Sequence, residues 1–599
     1  MKRKTILPGW KKNFHRPVPK EFAKSKALDD LYYFQQETVD LDEYYSRYRG
    51  EVIYDDYLMY SPVLQSDAKC ETITGDDGVK NVIRFEIPSA PDKPTSDMIE
   101  FSKPLEGYLE GDTLVATFLA RNVERGMEDG FGKILFQAEE DITYKKAVLC
   151  QELAGSQWTK IYIPFQGKLN HNKLAFRLGF IAQTIEIKDF SVVNYHSQFL
   201  AKDVPLKSVT YSQLEEGAPW RKEALERIEK IRKGDFKVLV CDSDGNPIKD
   251  AKVRMSMYEH QFEFGTAISG KFIDEPDMHK AFSREFNSAV SETYMKWGPY
   301  VNENGDRADK QVNILKNLGC KYMRGHSLVW EKLRSGIGTN LVPPFIGDIM
   351  EDKGKLDEAI ISHMEHIITK YKDYVTDWDV ANEMSANTLF RDIHGQEYIK
   401  DWFEWTDKIN PEGCYFYNEY QHGKEFFDIL KFMKDNHIKC DYIGLQSHYD
   451  GYQPMPDELF DLWDRISSYG FRLKSTELSI SNHDQVLMGN YMRDFMIAAF
   501  SYEKMDGIYM WGYWDDSNIK PYAPLFRSDW TLRESGLVYE DLVYNKWWTE
   551  EETYTDANGE GTIRGFFGNY DVVVEHEGKS KTLMCDFYKG EENVIKVVL

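Results

Sequence analysis

Residues 414–448, CYFYNEYQHGKEFFDILKFMKDNHIKCDYIGLQSH, contain one complete unit of the architecture that this sequence predicts. The unit begins with a short apolar run, CYFYNE, and ends with a second one, DYIGLQSH. Between them, residues 423–439 form an amphipathic stretch that follows a polar loop. Short apolar runs indicate buried strands and the amphipathic stretch indicates a helix, so the segment predicts two parallel strands joined by a helical crossover.

The same strand, loop and helix pattern repeats through residues 263–550. Eight runs are candidate strands: FEFGTAIS, NSAVSE, KYMRGH, DWDVANE, CYFYNE, DYIGLQSH, RLKSTELSI and GIYMWG. Eight strands that alternate with helices within about 290 residues are typical of a (β/α)8 barrel. The sequence therefore predicts an α/β protein whose largest domain is such a barrel.

The flanking sequence predicts additional β structure on both sides of the barrel. Residues 1–50 show weak periodicity and stay unassigned, whereas 51–205 alternate at spacings near ten residues and predict an antiparallel β-sandwich. Residues 206–262 predict a linker helix and a small β unit, and 551–599 return to β alternation. Because two or three strands are marginal alone, we expect 236–262 and 551–599 to pack together. We also expect the barrel to fold without residues 1–205.

Composition excludes several classes of protein. The 599 residues include 74 Lys and Arg against 99 Asp and Glu, which gives a net charge of −25 and argues against a nucleic-acid partner. No run of 18 apolar residues predicts a membrane span, and the first residues, MKRKTILPGWKK, lack the apolar core of a signal peptide. The seven cysteines form no CxxC pair, so neither a disulfide framework nor a zinc knuckle is predicted.

The carboxyl ends of the predicted strands carry a dense set of polar and aromatic side chains. In a barrel of this kind the active site lies at that face. The candidates are Glu292, Lys296, Trp297, His326, Trp330, Asn382, Glu383, Asn418, Glu419, Tyr420, Gln446, His448, Glu477, Trp511 and Trp514. Any one of them alone is more simply a cap or an ion-pair partner, but the whole set predicts an active site.

The chemistry of this set favours cleavage of a glycosidic bond. One carboxyl group protonates the leaving oxygen while another attacks or stabilises the anomeric carbon, and an adjacent amide such as that of Asn382 can bind a sugar 2-hydroxyl. Metal-dependent hydrolysis is the alternative. It needs several histidines, whereas His326 and His448 lie on different predicted strands. We therefore predict no metal or other cofactor.

Seven motifs make residues 263–548 resemble glycoside hydrolase family 10, the retaining endo-β-1,4-xylanases. WDVANE resembles the acid/base motif and implies that Glu383 is the general acid/base, with Asn382 as its amide neighbour. STELSI resembles the nucleophile motif and implies that Glu477 is the nucleophile. The remaining motifs, SETYMKW, RGHSLVW, YNEY, LQSHY and MWGYW, imply substrate-binding roles for Glu292, Lys296, His326, Trp330, Asn418, Tyr420, Gln446, His448, Trp511 and Trp514.

The chain departs from the family pattern at four positions. Thr293 stands where the family usually has Asn, Glu331 where it has His, and Leu333 where it has Gln. We expect these changes to weaken the binding of plain linear xylan and to favour a decorated xylan or a neighbouring β-glycan, with Glu331 or Leu333 meeting a side group. Ser479 replaces the usual Asp two residues after the nucleophile, which changes how His448 is held.

The resemblance implies double displacement on internal β-1,4-xylosidic bonds of xylan or substituted xylan. It also implies that 51–205 is a carbohydrate-binding module, with Trp158 or Tyr60 as candidate sugar platforms or as ordinary buried aromatics. Two alternatives stay open: a glycosidase or transglycosylase acting on another β-linked glycan, and a non-catalytic polysaccharide-binding protein. By substrate class we expect a secreted or periplasmic monomer whose partner is a polysaccharide or oligosaccharide.

Overall fold

The structure is a computed structural model that describes residues 22–599 apart from several short segments. The segments outside the description are 36–38, 56–60, 64–66, 76–79, 90–99, 127–129, 143–145, 169, 206–212, 336–337, 450–452, 483, 519 and 521. Tyr60, one of the two candidate sugar platforms, lies outside the described residues. Among the described residues, no helix is long and apolar enough to cross a membrane.

Two antiparallel sheets form a sandwich between residues 51 and 194. Its strands are β1 (Glu51–Tyr54), β2 (Ser61–Val63), β3 (Lys69–Ile73), β4 (Val82–Ile87), β5 (Glu100–Pro104), β6 (Thr113–Arg125), β7 (Gly132–Glu139), β8 (Lys146–Ala154), β9 (Thr159–Gln166), β10 (Lys173–Arg177) and β11 (Gln183–Asn194), preceded by helix α1 (Leu41–Ser46). One sheet has the order β3-β4-β11-β6-β9, with β1 beside β11, and the other has the order β2-β5-β10-β7-β8. Phe118 of the first sheet meets Phe176 of the second edge to face, with ring centres 4.9 Å apart. Such pairs between inward-facing rings close the core.

Trp158 does not present a free ring in the sandwich. The side chain is half-buried, the Arg121 guanidinium lies 4.7 Å from the ring centre, and the Lys188 ammonium lies 4.2 Å from it. These cations occupy ring surface that a pyranose would need for stacking. The structure thus favours a structural role for Trp158 over the predicted sugar platform.

The region after the sandwich forms a β unit with the C-terminal strands. The elements are α2 (Pro219–Ile231), β12 (Lys233–Cys241), β13 (Lys252–His260), β24 (Glu550–Tyr554), β25 (Glu560–Phe566), β26 (Gly568–His576), β27 (Lys579–Phe587) and β28 (Val594–Val598). Strand β12 lies between β25 and β28, and β13 lies between β24 and β26. Phe236 of β12 stacks on Phe587 of β27 at 4.4 Å, so the two chain segments share one core.

Residues 263–510 supply the strands of a closed parallel barrel. Eight principal strands are β14 (Glu263–Ile268), β15 (Ser288–Ser291), β16 (Tyr322–Gly325), β18 (Val375–Asn382), β19 (Cys414–Glu419), β20 (Tyr442–Leu445), β22 (Arg472–Ile480) and β23 (Met505–Met510), with short pieces β17 (Val329–Trp330) and β21 (His448–Tyr449). Pairing of β16 with β18 closes the ring. The predicted (β/α)8 fold is therefore confirmed.

Helices surround the barrel. They are α3 (Pro276–Glu285), α4 (Trp297–Asn302), α5 (Asp306–Asn317), α6 (Ile346–Ile349), α7 (Lys353–Tyr371), α8 (Leu389–His394), α9 (Tyr398–Ile409), α10 (Lys424–Asp435), α11 (Pro456–Ser467), α12 (Gln485–Ser501) and α13 (Glu534–Asp541). In α10 the buried residues Phe426, Leu430 and Met433 recur at helical spacing, which explains why this stretch packs on the strands as a helix.

The N-terminal segment 22–35 packs on the barrel helices. The backbone of Phe34 donates to and accepts from the Asn490 side chain of α12, at 3.1 and 3.0 Å. The Arg493 guanidinium donates to the carbonyl of Tyr32 at 2.7 Å. Removing residues 1–205 would strip these partners from buried polar groups, and the folding of the barrel without that region stays a prediction.

Candidate active site

Glu383 sits at the carboxyl end of β18, where the chain turns sharply. Its backbone has φ of +53°, a left-handed conformation that is costly for a side chain with a Cβ. The turn is held because the Glu383 amide donates to the Asn418 carbonyl at 2.8 Å and the Asn387 amide donates to the Glu383 carbonyl at 3.0 Å. The side-chain oxygens accept from Gln446 Nε2 and from Asn387 Nδ2, each at 3.2 Å.

Burial makes Glu383 a weak acid. Desolvation, reinforced by the negative charges of Glu419 and Glu477, raises the pKa of Glu383 to about 7. A carboxyl group with such a pKa carries its proton near neutral pH, which is the form that a general acid requires.

Glu477, inside β22, is buried but held ionised. Its Oε1 accepts from Asn418 Nδ2 at 2.8 Å, and its Oε2 lies 3.2 Å from His448 Nε2. Burial alone would raise its pKa, but the His448 hydrogen bond, followed by electrostatic interactions with His326, His448 and Arg324, outweighs burial and lowers the pKa to about 2. Near neutral pH Glu477 is thus ionised while Glu383 is partly protonated, and this difference is the arrangement that separates an acid from a nucleophile.

Asn418 connects Glu477 to Asn382, the residue before Glu383. Its Nδ2 donates to Asn382 Oδ1 at 2.9 Å as well as to Glu477, and its Oδ1 accepts from Thr476 Oγ1 at 2.6 Å. Since both amide hydrogens of Asn418 are used, it orients its neighbours, which differs from the sequence prediction of a direct sugar contact. Asn382 instead keeps a buried Nδ2 with no partner among the described residues, so that donor is available to a sugar hydroxyl.

His326 faces the site from the opposite side. Its Nδ1 lies 2.7 Å from the Asp379 carboxylate, and burial lowers the pKa of His326. The carboxylate fixes the hydrogen on Nδ1, which leaves Nε2 as an acceptor. Asp379 was not among the residues predicted from the sequence, although it lies in the strand DWDVANE four residues before Glu383.

A cationic and aromatic wall completes this side. The Lys296 ammonium lies 5.2 Å from the Trp330 ring centre, and the Trp511 ring lies 5.8 Å from His326 and 6.2 Å from His448. Burial lowers the pKa of Lys296, against the attraction of Glu477, Glu292 and Glu383. Burial also raises the pKa of Glu292, against the attraction of Lys296. Such mutual influence indicates that these predicted residues share one site.

Two predicted residues have different surroundings. Trp514 stacks on Trp530 at 4.7 Å with planes 10° apart, and its Nε1 donates to the Ser528 carbonyl at 3.3 Å. Half-buried Tyr420 accepts at its hydroxyl from Gln421 Nε2 at 3.1 Å. Trp514 therefore packs within the loop after β23. Tyr420 lies near Glu383: burial, followed by the negative charge of Glu383, raises the pKa of Tyr420 to about 12.

Glu331 does not face the sugar site, which corrects the expectation that it bonds a substrate side group. Its oxygens accept from the backbone amide of Arg391 at 2.8 Å and from Arg391 Nε at 2.6 Å. Arg391 in turn donates to the carbonyls of Met384 and Asn387. The buried pair therefore ties β17 to the turn that carries Glu383. Leu333, by contrast, is 36% exposed.

The described residues include no cluster of three or more His, Cys, Asp or Glu side chains that could hold a metal ion. The chemistry open to this site is proton transfer and nucleophilic attack by carboxyl groups.

Comparison with known proteins places this site in a family. The model of glycosyl hydrolase family 10 matches residues 254–537. The chain is 28% identical over 376 residues to the anti-sigma-I factor RsgI6 of Acetivibrio thermocellus, covering 61% of this chain and 48% of that protein. It is 25% identical over 368 residues to endo-1,4-beta-xylanase 1 of Arabidopsis thaliana, covering 59% and 38%.

A third relative is shorter. The chain is 30% identical over 243 residues to a beta-1,4-xylanase of Dictyoglomus thermophilum, covering 38% of this chain and 65% of that protein. The chain spans about half or less of the length of the first two relatives. The matched region includes every residue of the site described above, and residues 254–537 of this chain belong to glycosyl hydrolase family 10.

Proposed function

We propose that the chain is a retaining endo-β-1,4-xylanase that acts on xylan or substituted xylan. The observation that carries the proposal is the difference in acidity between the two neighbouring carboxyl groups, with the pKa of Glu383 raised to about 7 and that of Glu477 lowered to about 2. Family membership supports glycoside hydrolysis, and the xylanases among the relatives support the substrate class.

In the proposed mechanism, Glu477 attacks the anomeric carbon while Glu383 gives its proton to the departing oxygen. Asn382 Nδ2 binds the sugar 2-hydroxyl as positive charge develops on the ring. Glu383, now ionised, then takes a proton from a water molecule whose oxygen attacks the anomeric carbon, which breaks the bond to Glu477 and returns Glu383 to its protonated form. Gln446 stays bonded to Glu383 and Asn418 to Glu477, so both carboxyl groups keep their positions through the cycle.

The proposal gives substrate-binding roles to a group of residues that contact one another. Lys296, His326, Trp330 and Trp511 would supply donors, acceptors and ring faces to the sugar. Exposed Leu333 offers an apolar contact to a side group on the xylan backbone, and the proposal therefore includes a preference for decorated xylan.

The decisive experiment combines two substrates with two variants. Glu477→Gln should abolish release of reducing sugar from xylan. Glu383→Ala should lose activity on xylan and regain part of it on an aryl xylobioside, because the activated leaving group departs without protonation while the second step still lacks its base. Equal losses of Glu383→Ala on both substrates would contradict the acid role. Glu358→Gln, an exposed position on α7, is the matched control and should behave as the wild type.

A second candidate function has its own support. It is a protein that binds polysaccharide without cleaving it, and one relative that matches 61% of this chain is named an anti-sigma factor instead of a hydrolase. In that case xylan would protect the chain from thermal unfolding while no reducing sugar appears.

A further inference from the structure

The side chain of Glu419 joins two turns at the rim of the barrel. It is fully buried at the end of β19. Its Oε2 accepts from the backbone amide of Ser385 at 2.8 Å and from the Tyr417 hydroxyl at 2.7 Å. Its Oε1 accepts from the backbone amides of Tyr420 and Gln421 at 2.9 and 3.1 Å. One carboxyl group thus binds backbone donors from the turn after β18 and from the turn after β19.

The turn after β18 carries Glu383 and depends on such support. Glu383 has the left-handed φ of +53°, a conformation that persists only when the surrounding structure enforces it. Ser385 follows two residues later, so its bond to Glu419 fixes the chain just beyond the strained position. The Glu419 carbonyl also accepts from the Gln446 amide at 3.0 Å, and Gln446 Nε2 donates to Glu383 at 3.2 Å. Glu419 therefore reaches Glu383 by two routes, through its side chain and through its backbone.

Arg391 supports the same turn in a different way. Its guanidinium donates to the carbonyls of Met384 and Asn387. A guanidinium only donates, so Arg391 cannot serve the Ser385 amide. In the part of the chain that the structure describes, the acceptor of that amide is Glu419.

The burial of Glu419 is costly. Burial raises the pKa of Glu419, although the Tyr417 hydroxyl and the backbone amides of Ser385 and Gln421 oppose the rise. A carboxyl group with a raised pKa makes the folded chain less stable once the pH exceeds its ordinary value. Stability alone therefore does not explain a buried glutamate at this position.

We propose that Glu419 is a positioning residue that holds the turn of Glu383 in place for proton transfer and couples it to the turn of Tyr420. The proposal rests on the proposed function only in taking Glu383 as the acid. A proton donor must lie within hydrogen-bond reach of the leaving oxygen, and a displacement of about 1 Å can cost about a hundredfold in rate.

The first test measures the turn itself, by hydrogen exchange and mass spectrometry of the full-length chain. Glu419→Gln keeps the size of the side chain, and its oxygen can still serve the two amides of its own turn. Its NH2 group then faces the Ser385 amide, so two donors meet and the link is lost. We expect residues 383–387 to exchange about tenfold faster, while β19 exchanges as in the wild type. Unchanged exchange of 383–387 in a folded Glu419→Gln chain would overturn the proposal.

The second test compares kcat/KM on xylotetraose with kcat/KM on an activated aryl xylobioside. The assays are run near pH 5, well below the Glu383 pKa of about 7, so that a lost negative charge does not ionise the acid. Glu419→Gln should lose about tenfold on xylotetraose and less than about threefold on the aryl substrate, whose first step needs no proton. Glu358→Gln, an exposed change on α7, should lose nothing on either.

A further variant keeps the test decisive if Glu419→Gln does not fold. Tyr417→Phe removes the hydroxyl that contacts both Glu419 and Ser385 Oγ, and it should lose about threefold on xylotetraose and nothing on the aryl substrate. Equal losses on both substrates in the folded variants would overturn the proposal. Faster exchange of 383–387 in a chain whose wild type cleaves neither substrate would support the link and refute the proposed function instead.

Discussion

At the scale of single residues, the two carboxyl groups predict the pH dependence of activity. Since the proposed acid needs its proton, kcat/KM should fall as the pH rises through about 7, where Glu383 ionises. The acidic limb should lie near pH 2, set by Glu477, so activity persists until acid unfolds the chain. A pH profile on a soluble xylo-oligosaccharide measures both limbs. An activity that rises from pH 6 to pH 8 would contradict the assignment.

The raised pKa of Glu383 also has a consequence for stability. Its folded value of about 7 lies above the ordinary 4.5, so the folded state holds this proton more tightly than the unfolded chain does. Glu383 therefore leaves the free energy of unfolding unchanged below about pH 4 and lowers it by up to about 3 kcal/mol above pH 7. Glu383→Gln should raise Tm at pH 8 and leave it unchanged at pH 4, as measured by calorimetry. An equal gain at both pH values would point to packing instead of charge.

Strand-end positions explain why most of these residues could be predicted. Glu383 follows an apolar run and Glu477 lies in the second half of another, and the barrel geometry then brings them together. Glu331 could not be placed in this way, because its partner Arg391 lies 60 residues further along the chain and no local pattern connects them.

At the scale of elements, the Glu331–Arg391 pair connects β17 to the turn after β18. Both side chains are nearly inaccessible, so removing one partner leaves a buried charge without its counterion. Glu331→Ala should cost about 3–5 kcal/mol of unfolding free energy and lower kcat by loosening the Glu383 turn. Lys424→Ala, which breaks an exposed pair on α10, should cost no more than about 1 kcal/mol in the same urea titration. Similar costs for the two variants would contradict the buried role.

At the scale of the whole molecule, the C-terminal strands complete a core that begins before the barrel. Truncation after residue 549 would remove both partners of β12, β25 and β28, and would leave the Phe236 ring without Phe587. We therefore expect the truncated chain to be poorly soluble or to melt at a lower temperature. Removing only the last strand, β28, should have a smaller effect, because β28 is one of the two neighbours of β12 and β25 would remain. Unchanged melting of the chain that ends at 549 would refute the shared core.

The measurement that tests the central claim most directly is proton NMR of the first product released from a β-1,4-xylo-oligosaccharide. Double displacement through Glu477 predicts that the β-anomer appears first and that the α-anomer grows in later by mutarotation. The same spectra from Glu477→Gln should show no product. An α-anomer formed first, or no cleavage by the wild-type chain, would contradict the account.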